Sequence, residues 1–494
     1  MENTLNHRGM GFFRLLIVSM AALGTLISGA AAERLVIAGA TIIDGTGAEP
    51  IQGHSLIVQD QRIVDLVPDG SVVRQAEDRW IDADGLYLLP GLWDMHIHVS
   101  FNEDLAPRMF AYLLAHGVTG IRDVGGDLEK SLYWRDRARK NPRAAPRLAI
   151  AGPLIDGFPT VYDGSAPNRP NLSVTIRNAE ETMKTIERLA EAEVDFLKAY
   201  EMLSEEAFEA LMQRAADHDL KVAGHVPFSI TADRAAELGI GSIEHLRNVE
   251  MATSSMAQEL LQERKQMLAA GKDLQGGDLR SRIHRTQRPR AIASQDPAAT
   301  QQVIDAFAKH QTTQVPTLVI MAGSRVRMDQ DPGFLPLLQN MPDSLREPWL
   351  EIHQRLQNMD AAQWAPHHEL GDWMLAFTRQ AYEAGIPILP GTDSPVPLAL
   401  PGHSLHEELR GLVLAGIPEM SVIQAATLES ARWLGLEGET GSIQPGKAAD
   451  LILVRSNPLE DIHATRDLHS VIRAGRHYDR DTLSTMLSTG RVPD

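Results

Sequence analysis

Residues that can bind a metal close successive apolar segments of this sequence. In chain order they are His96, His98, Lys198, His225, His245 and Asp393. A structural zinc site usually takes its ligands from residues a few positions apart, whereas these donors are widely spread. The pattern therefore predicts a catalytic metal centre.

The first two donors, His96 and His98, are two positions apart. Residues two apart in a strand point to the same face. A His-x-His pair is common by chance, but this one ends the first strand pattern of the central region and Asp393 ends the last. If the strands close into a barrel, the first and the last are neighbours and the three donors meet.

The segments that carry the donors alternate with amphipathic helical stretches at 179–192, 205–218 and 373–384. The strand patterns are, in order, LWDMHIHV, VTGIRDV, RLAIAG, DFLKAY, KVAGHV, SIEHL, TQVPTLVI and PILPGTD. Such repeated β/α units predict an α/β fold, a (β/α)8 TIM-type barrel, whose catalytic residues lie at the carboxyl ends of the strands. Every donor falls at that end. A doubly wound sheet would give the same alternation without this convergence.

Both ends of the remaining chain show short β-branched strand patterns separated by turns. We expect residues 33–88 and 437–480 to pair into one small β-sandwich beside a barrel of residues 89–436. Residues 481–494 have little pattern, which indicates a loose C-terminal tail.

Residues 1–32 have the layout of a secretory signal peptide: a weakly basic start, an apolar stretch and small residues before Glu33. The apolar stretch is short for a membrane span, although an uncleaved anchor is the alternative. We therefore expect a periplasmic or secreted protein with no membrane contact after cleavage. Because the sequence has no cysteine, a metal must be bound by nitrogen and oxygen donors, which suit zinc, with manganese, cobalt or iron as alternatives.

The net charge of −18 argues against a nucleic-acid partner, because nucleic acids favour basic patches. We expect a small-molecule substrate and leave open whether the chain forms homo-oligomers. Two long segments interrupt the alternation. Residues 154–171 suggest a lid or binding loop, and residues 251–299, with the basic run RSRIHRTQRPR, suggest a solvated helical excursion.

Several motifs, taken as a set, resemble those of the amidohydrolase superfamily of metal-dependent hydrolases, and within it the imidazolonepropionase-like and prolidase-like group. The motifs are LLPGLWDMHIH, GVTGIRDVGG, DFLKAY, GHVP, SIEHL, PGTDSP and TGSIQPGKAADLILV. The resemblance spans almost the whole chain after the expected signal peptide.

This resemblance implies two divalent metal ions. The donors that it assigns are His96, His98 and Asp393 for one ion, and His225 and His245 for the other. A lysine ammonium has no lone pair to offer. For Lys198 to bridge the ions, as the resemblance implies, CO2 must therefore carboxylate it to a carbamate. The alternative is an ordinary lysine and a single metal.

The expected reaction follows from charge. Hydroxide shared by the ions would attack a carbonyl, with Asp393 as the general base that later protonates the leaving amine. Tyr200, two residues beyond Lys198, would donate a hydrogen bond to the oxyanion, or else would pack at the barrel rim. We predict an amidohydrolase that cleaves the C–N bond of a dipeptide or N-acyl amino acid, a dipeptidase- or carboxypeptidase-like activity.

Other polar residues are candidates for substrate contacts. Arg169 and Arg325 could meet a substrate carboxylate, and Arg122 and Asp123 could form a supporting pair. A further cluster, which we expect to be structural or substrate-facing rather than a third metal site, is His403, His406 and Glu407. The alternative functions are an imidazolonepropionase-like cyclic amide, lactone or organophosphate hydrolase and, in another class, a non-catalytic metal- or peptide-binding protein.

Overall fold

The computed structural model describes residues 34–166 and 168–493, and the expected signal peptide lies outside them. The strands are β1 (Arg34–Ala38), β2 (Thr41–Ile42), β3 (His54–Gln59), β4 (Arg62–Pro68), β5 (Arg79–Asp82), β6 (Tyr87–Pro90), β7 (Leu92–Ile97), β8 (Val118–Asp123), β9 (Arg147–Ile150), β10 (Leu154–Asp156), β11 (Asp163–Ala166), β12 (Arg169–Asn171), β13 (Ser173–Thr175), β14 (Leu197–Ala199), β15 (Val222–Gly224), β16 (Ser242–Glu244), β17 (Thr313–Val315), β18 (Leu451–Val454), β19 (Leu468–Arg473) and β20 (Arg476–Asp479).

The helices lie mainly between the central strands. They are α1 (Ala106–Ala115), α2 (Leu128–Lys140), α3 (Ala179–Glu191), α4 (Glu205–Asp217), α5 (Ala232–Glu237), α6 (Val249–Ala252), α7 (Ala257–Ala270), α8 (Gly276–Ala293), α9 (Pro297–His310), α10 (Leu318–Met321), α11 (Gly323–Val326), α12 (Phe334–Leu338), α13 (Asp343–Gln357), α14 (Ala361–Glu383), α15 (His403–Leu414), α16 (Glu419–Gln424), α17 (Ser430–Trp433) and α18 (Arg480–Thr489). Short 3-10 turns occur at Pro142–Ala144, Met328–Gln330 and Ile462–Arg466, and a π-helical turn at Ala425–Glu429.

Two parallel sheets in the middle of the chain carry the candidate site. One has the order β7-β8-β9 and the other β13-β10-β14-β15-β16-β17. Backbone hydrogen bonds connect them through residues 387–394, where Met95 N donates to Pro390 O and Leu389 N donates to Gln314 O, both at 2.9 Å. On the opposite side, Asp195 N donates to Ile150 O, also at 2.9 Å. The α/β class and the parallel strands expected from the sequence are confirmed.

Prolines shorten two of the expected strands. Residues 387–394 form only isolated parallel bridges, Gln314 with Ile388 and Ile97 with Ser394, rather than a continuous strand. Pro387 and Pro390 have no N–H to donate to a neighbouring strand. In the preceding unit, β17 ends just before Pro316, and the expected continuation TLVI becomes α10.

The helices predicted near β14 and β15 are confirmed within one residue at α3 and α4, and each begins at a capping side chain. Asn178 accepts a hydrogen bond from Glu181 N, and Ser204 accepts one from Ala207 N. The third predicted helix, α14, begins twelve residues earlier than expected, because Asp360 forms a capping box at its start.

The two ends of the chain meet in shared sheets. One sheet has the order β4-β3-β1-β5 and the other β2-β6-β18-β19-β20, in which β6 pairs antiparallel with β18. Leu35, Leu56, Leu88, Leu453 and Ile472 come from both sheets and belong to one buried hydrophobic cluster. The expected pairing of the N-terminal and C-terminal strands is therefore observed.

Three outer segments complete the described residues. The expected 154–171 loop begins with β10, which belongs to the six-stranded parallel sheet, and its outer part contains the short hairpin β11–β12. In the 251–299 segment, α8 buries Leu279 and Ile283. The C-terminal residues differ from the loose tail expected, since Leu483 and Met486 of α18 are buried and Asp479 caps this helix. No helix within 34–166 and 168–493 combines the length and the apolar character that a bilayer span requires.

Candidate metal centre

The six predicted metal ligands line one cavity at the carboxyl ends of the parallel strands. Their positions are β7 and the residue after its end for His96 and His98, β14 for Lys198, the residues directly after β15 and β16 for His225 and His245, and the 387–394 segment for Asp393. The histidines and the lysine are buried, and the Asp393 side chain is 18% exposed. Donors far apart in the sequence are thus brought together.

The Asp393 carboxylate lies close to three of the four histidines. Its Oδ1 is 3.3 Å from His96 Nε2 and 3.2 Å from His98 Nε2, and its Oδ2 is 3.7 Å from His245 Nε2. Ligand atoms of His96, His98 and Asp393 all lie within 4.8 Å of one another, close enough to share an ion. The ring centroid of His225 lies 5.0 Å from that of His245.

Each histidine directs Nδ1 away from the centre. The groups facing Nδ1 are Glu244 Oε2 for His96 at 2.6 Å, the Gly125 carbonyl oxygen for His98 at 2.8 Å, Thr317 Oγ1 for His245 at 2.5 Å and Glu201 Oε1 for His225 at 3.4 Å. Carboxylates and carbonyls at this position fix the ring orientation of metal-binding histidines. The Nε2 atoms of His96, His98 and His245 are therefore available as metal ligands, whereas His225 Nδ1 lies near Glu201 without a hydrogen bond among the described residues.

Lys198 is the one donor that does not suit a cation in its ordinary form. Its side chain is buried, and Nζ has no hydrogen-bond partner among the described residues. Burial lowers the pKa of Lys198 to about 8. An unpaired buried amine calls for an explanation, and a carbamate would turn it into an anionic oxygen donor facing the histidines. With that change, the donor set fits divalent ions that prefer nitrogen and oxygen.

The buried ion pair between Arg122 and Glu244 lies beside His96, on the Nδ1 side of its ring. Arg122 Nη2 donates to Glu244 Oε1 at 2.8 Å, and Arg122 Nε donates to Met95 O at 2.6 Å. Burial alone would raise the pKa of Glu244, but the Arg122 and Lys198 cations outweigh it and hold that pKa well below its usual value. Arg122 thus pairs with Glu244 rather than with Asp123, the partner expected from the sequence.

Two of the ligands have unusual backbone conformations. The φ angles of Asp393 and His245 are +60° and +61°, in the left-handed region that non-glycine residues seldom adopt. Such conformations are concentrated at functional sites. Beside them, Gly391 lets the chain approach His96 closely, because a Cβ at this glycine would lie 2.6 Å from His96 Cβ. Burial would raise the pKa of Asp393, but the surrounding imidazoles outweigh it and lower the pKa strongly.

Tyr200 lines the same cavity. Its ring centroid lies 4.4 Å from that of His225 and 5.9 Å from that of Tyr162, which comes from the 154–171 segment. Burial raises the pKa of Tyr200 well above 10, so its hydroxyl stays protonated and can donate a hydrogen bond.

Three predicted substrate contacts do not line this cavity. Arg169 Nη2 instead donates to Asp278 Oδ1 at 2.7 Å, and Arg325 forms a bidentate pair with Asp372 at the surface. His403 lies 3.5 Å from Asp331 Oδ2 in a separate cluster. In that cluster His406 bonds to Thr465 Oγ1 and to the His116 carbonyl, which is a structural arrangement.

The structure adds residues that the sequence analysis did not select. Tyr162, Arg247 and Arg280 also line the cavity. Two signals were present in the sequence: Arg247 follows His245 by two positions, and Arg280 and His284 recur at the spacing of one helix face.

Comparisons with known proteins agree with this geometry. The amidohydrolase family model matches residues 87–275 and 374–477, more than half of the chain. An adenine deaminase of Paracoccus denitrificans is 24% identical over 465 residues, which cover 92% of this chain and 60% of that protein. The chain thus spans less than two thirds of that relative.

Solved structures show the same fold at low identity. A Xaa-Pro dipeptidase with bound methionine in the active site superposes with a TM-score of 0.63 at 22% identity, covering 90% of this chain and 100% of that one. Bottromycin amidohydrolase gives a TM-score of 0.67 at 23% identity, covering 92% and 90%. The fold, the convergent donors and the family match lead to one assignment: this chain belongs to the amidohydrolase family.

Proposed function

We propose that this protein is a binuclear metal-dependent hydrolase of the prolidase-like group that cleaves the C–N amide bond of a dipeptide or N-acyl amino acid. The observation that carries the proposal is the convergence of four histidines, Asp393 and the unpartnered Lys198 Nζ on one buried cavity. A purely structural role would leave no reason to bury an unpaired amine among them.

The proposed ligands divide as the family resemblance implies. One divalent ion, most simply zinc, would be held by His96, His98 and Asp393, and a second by His225 and His245, with a carbamate on Lys198 between them. Bound divalent ions would lower the pKa of a water molecule and polarise the substrate carbonyl.

The protein's own groups would handle the protons. Asp393 is held ionised by its imidazole neighbours, so it can accept the proton of the attacking water and pass it to the leaving amine. The Tyr200 hydroxyl can donate a hydrogen bond to the carbonyl oxygen as negative charge develops there. Burial of the cavity strengthens both interactions, because it excludes bulk water.

The finer architecture is part of the same proposal. We propose that the two parallel sheets close into one (β/α)8 barrel over residues 89–436, and that residues 33–88 and 437–480 form a β-sandwich. The linking hydrogen bonds at Met95, Leu389 and Asp195 support closure, and the shared hydrophobic cluster supports the sandwich. Export to the periplasm or medium, with cleavage of residues 1–32, is proposed from the sequence.

A substrate screen tests this function. Metal-loaded protein is assayed against N-acyl amino acids and Xaa-Pro dipeptides, with adenine, lactones and phosphotriesters in the same panel. We expect amide hydrolysis that stops on chelation and returns with added metal. Asp393→Asn should lower kcat about 10²- to 10⁴-fold by removing the proton acceptor. Turnover confined to adenine, a lactone or a phosphotriester would reject the amide assignment, and no metal-dependent turnover would leave a binding protein.

A further inference from the structure

A second, wider pocket adjoins the metal cavity. Arg247 and Arg280 line both, so the two spaces are neighbours. The walls of the outer pocket come mainly from α8, within the 251–299 segment, and from the first turns of α14. The segment that the sequence suggested to be a solvated excursion therefore borders the candidate active site.

The outer pocket is strongly basic, although the chain as a whole carries a charge of −18. Arg247, Arg280, Arg285 and Arg288 line it, and Glu369 is the one carboxylate among the described residues of its wall. Pro289, Ile292 and Leu370 supply apolar surface between these charges. The pocket thus combines an apolar wall with a concentration of guanidinium groups.

The buried carboxylates nearby are already engaged. Glu201 is fully buried and pairs with Arg280 and with His284 Nε2, the latter at 3.1 Å. Glu250 Oε1 accepts a hydrogen bond from Arg288 Nε at 3.0 Å. A further cation, Arg264, is buried beneath α8 and bonds to neutral Gln287. Two buried carboxylates, Glu201 and Glu250, are therefore the nearby counter-charges for the guanidiniums of Arg247, Arg264, Arg280 and Arg288.

Among the buried arginines that line the outer pocket, Arg247 has the weakest ion pair. Its side chain is 12% exposed, and its buried Nε has no hydrogen-bond partner among the described residues. The closest carboxylate oxygen among the described residues, Glu201 Oε1, lies 3.8 Å from that Nε, and the Nη2 atom lies 3.6 Å from the Met321 sulfur. Because Glu201 also pairs with Arg280 and His284, the buried Arg247 guanidinium is only partly compensated, which is costly unless a ligand supplies a further anion.

We propose that Arg247, with Arg280 and Arg288, forms an anion-binding subsite that selects substrates carrying a carboxylate away from the scissile amide. This inference rests on the proposed amide hydrolysis at the adjoining metal centre. Guanidiniums match carboxylates with paired hydrogen bonds. The subsite is built in advance of binding, because α8 is anchored by buried Leu279 and Ile283 and by the Arg169–Asp278 ion pair.

The carboxylate could belong to the amine half or to the acyl half of the substrate, and matched pairs of amides distinguish these sources. N-benzoylglycine is compared with N-benzoylethanolamine, and N-succinylbenzylamine with N-butanoylbenzylamine. In wild-type enzyme, kcat/KM should favour the charged member of at least one pair by about ten- to a hundredfold, the value of a charge-assisted hydrogen bond. The pair that shows the preference identifies the half that enters the subsite.

Substitutions test whether Arg247 causes the preference for the carboxylate-bearing substrate. Arg247→Met should reduce it to within about threefold, mainly through KM, and Arg247→Lys should retain part of it because the charge remains. Arg282→Met is the matched control, because Arg282 is an exposed arginine of α8 that does not line the pocket. It should keep the wild-type preference.

A binding measurement separates this inference from the proposed function. Calorimetry with 4-phenylbutyrate and 4-phenylbutanol, neither of which has an amide bond, is run on metal-loaded wild type, Arg247→Met and Arg282→Met. Only Arg247→Met should lose about tenfold in affinity for the carboxylate. That loss without any amide turnover would reject the proposed function and keep the subsite. Amide turnover with no charge preference in the wild type, or with the preference unchanged in Arg247→Met, would overturn the subsite.

Discussion

Among single residues, Lys198 is the one whose replacement tests the proposed pair of metal ions. Lys198→Ala removes the proposed carbamate, so bound metal should fall from two equivalents to one or fewer. Turnover should fall at least about a hundredfold, since one ion must then serve both the water and the carbonyl. Metal content by mass spectrometry and kcat on the best amide check this. Lys184→Ala, at an exposed lysine of α3, is the control, and full metal content in Lys198→Ala would contradict the bridge.

Glu244 connects the candidate ligand His96 to the buried Arg122 guanidinium. Glu244→Gln weakens the acceptor of His96 and leaves the Arg122 guanidinium without its buried counter-charge. Metal affinity should fall about 10- to 100-fold, and the free energy of unfolding should drop by about 3–5 kcal/mol. Chelator competition and thermal unfolding measure the two effects. Glu237→Gln, in an exposed pair with Arg234, should change neither.

The convergence of the six candidate ligands on one cavity could be predicted from the sequence, because each of them ends an apolar strand pattern. The groups around them could not be chosen in the same way. Glu244 and Glu201 are adjacent in sequence to His245 and Tyr200, but acidic residues are frequent throughout the chain. Their importance comes from full burial, which depends on tertiary packing. Arg169, by contrast, was predicted to contact the substrate but forms an ion pair with Asp278, which lies more than 100 residues later in the sequence.

At the scale of elements, the contact between the 154–171 segment and α8 shapes the entrance to the site. A Cβ at Gly276, the first residue of α8, would lie 2.2 Å from the Thr160 carbonyl oxygen. Gly276→Ala should therefore displace the loop that carries Tyr162. We expect a loss of about 1–3 kcal/mol in unfolding free energy and a lower kcat/KM.

A second glycine at a helix start provides the control for this substitution. Gly323 begins α11, and a Cβ there would meet nothing within 4 Å. Gly323→Ala should be neutral or stabilising by about 0.4–1 kcal/mol, because it restricts only the unfolded chain. Urea unfolding of both variants makes the comparison. Equal changes in unfolding free energy for Gly276→Ala and Gly323→Ala would show that the contact between α8 and Thr160 does not constrain the loop.

Periodicity predicted most of the elements, and prolines account for several of the differences. The sequence patterns were sufficient to predict where α3 and α4 begin, because a capping side chain sets the first residue of each helix. The eighth strand pattern is apolar enough for a strand, yet Pro387 and Pro390 leave it with isolated bridges. The position of α8 beside the site could not be predicted, since long-range contacts place it there.

At the scale of the whole molecule, Asp450 connects the terminal sheets to the central ones. Its Oδ1 accepts a hydrogen bond from Arg473 at 2.6 Å, and its Oδ2 accepts one from Arg147 of β9 at 2.9 Å. Asp450→Asn leaves the buried Arg473 without a counter-charge, so unfolding free energy should fall by about 3–5 kcal/mol at neutral pH.

The same pair gives a pH dependence. Burial would raise the pKa of Asp450, but Arg473 and Arg147 outweigh it and lower that pKa below the usual 3.8. The stabilisation is therefore complete above the unfolded-state value and is lost as pH falls through the lower folded value. The difference in Tm between wild type and Asp450→Asn should narrow below about pH 4. The Asp467→Asn variant, which removes an exposed ion pair, should change Tm only slightly, and a Tm difference for Asp450→Asn that stays constant with pH would contradict the assignment.

We propose that six dispersed donors hold two divalent ions in one cavity. A crystal structure of the purified protein, with anomalous diffraction recorded at the metal absorption edge, tests it most directly. We predict two anomalous peaks about 3.5–4 Å apart beside Asp393, with carbamate density on Lys198 between them. A cavity without peaks in metal-supplemented protein, or ions bound only elsewhere on the chain, would contradict the account.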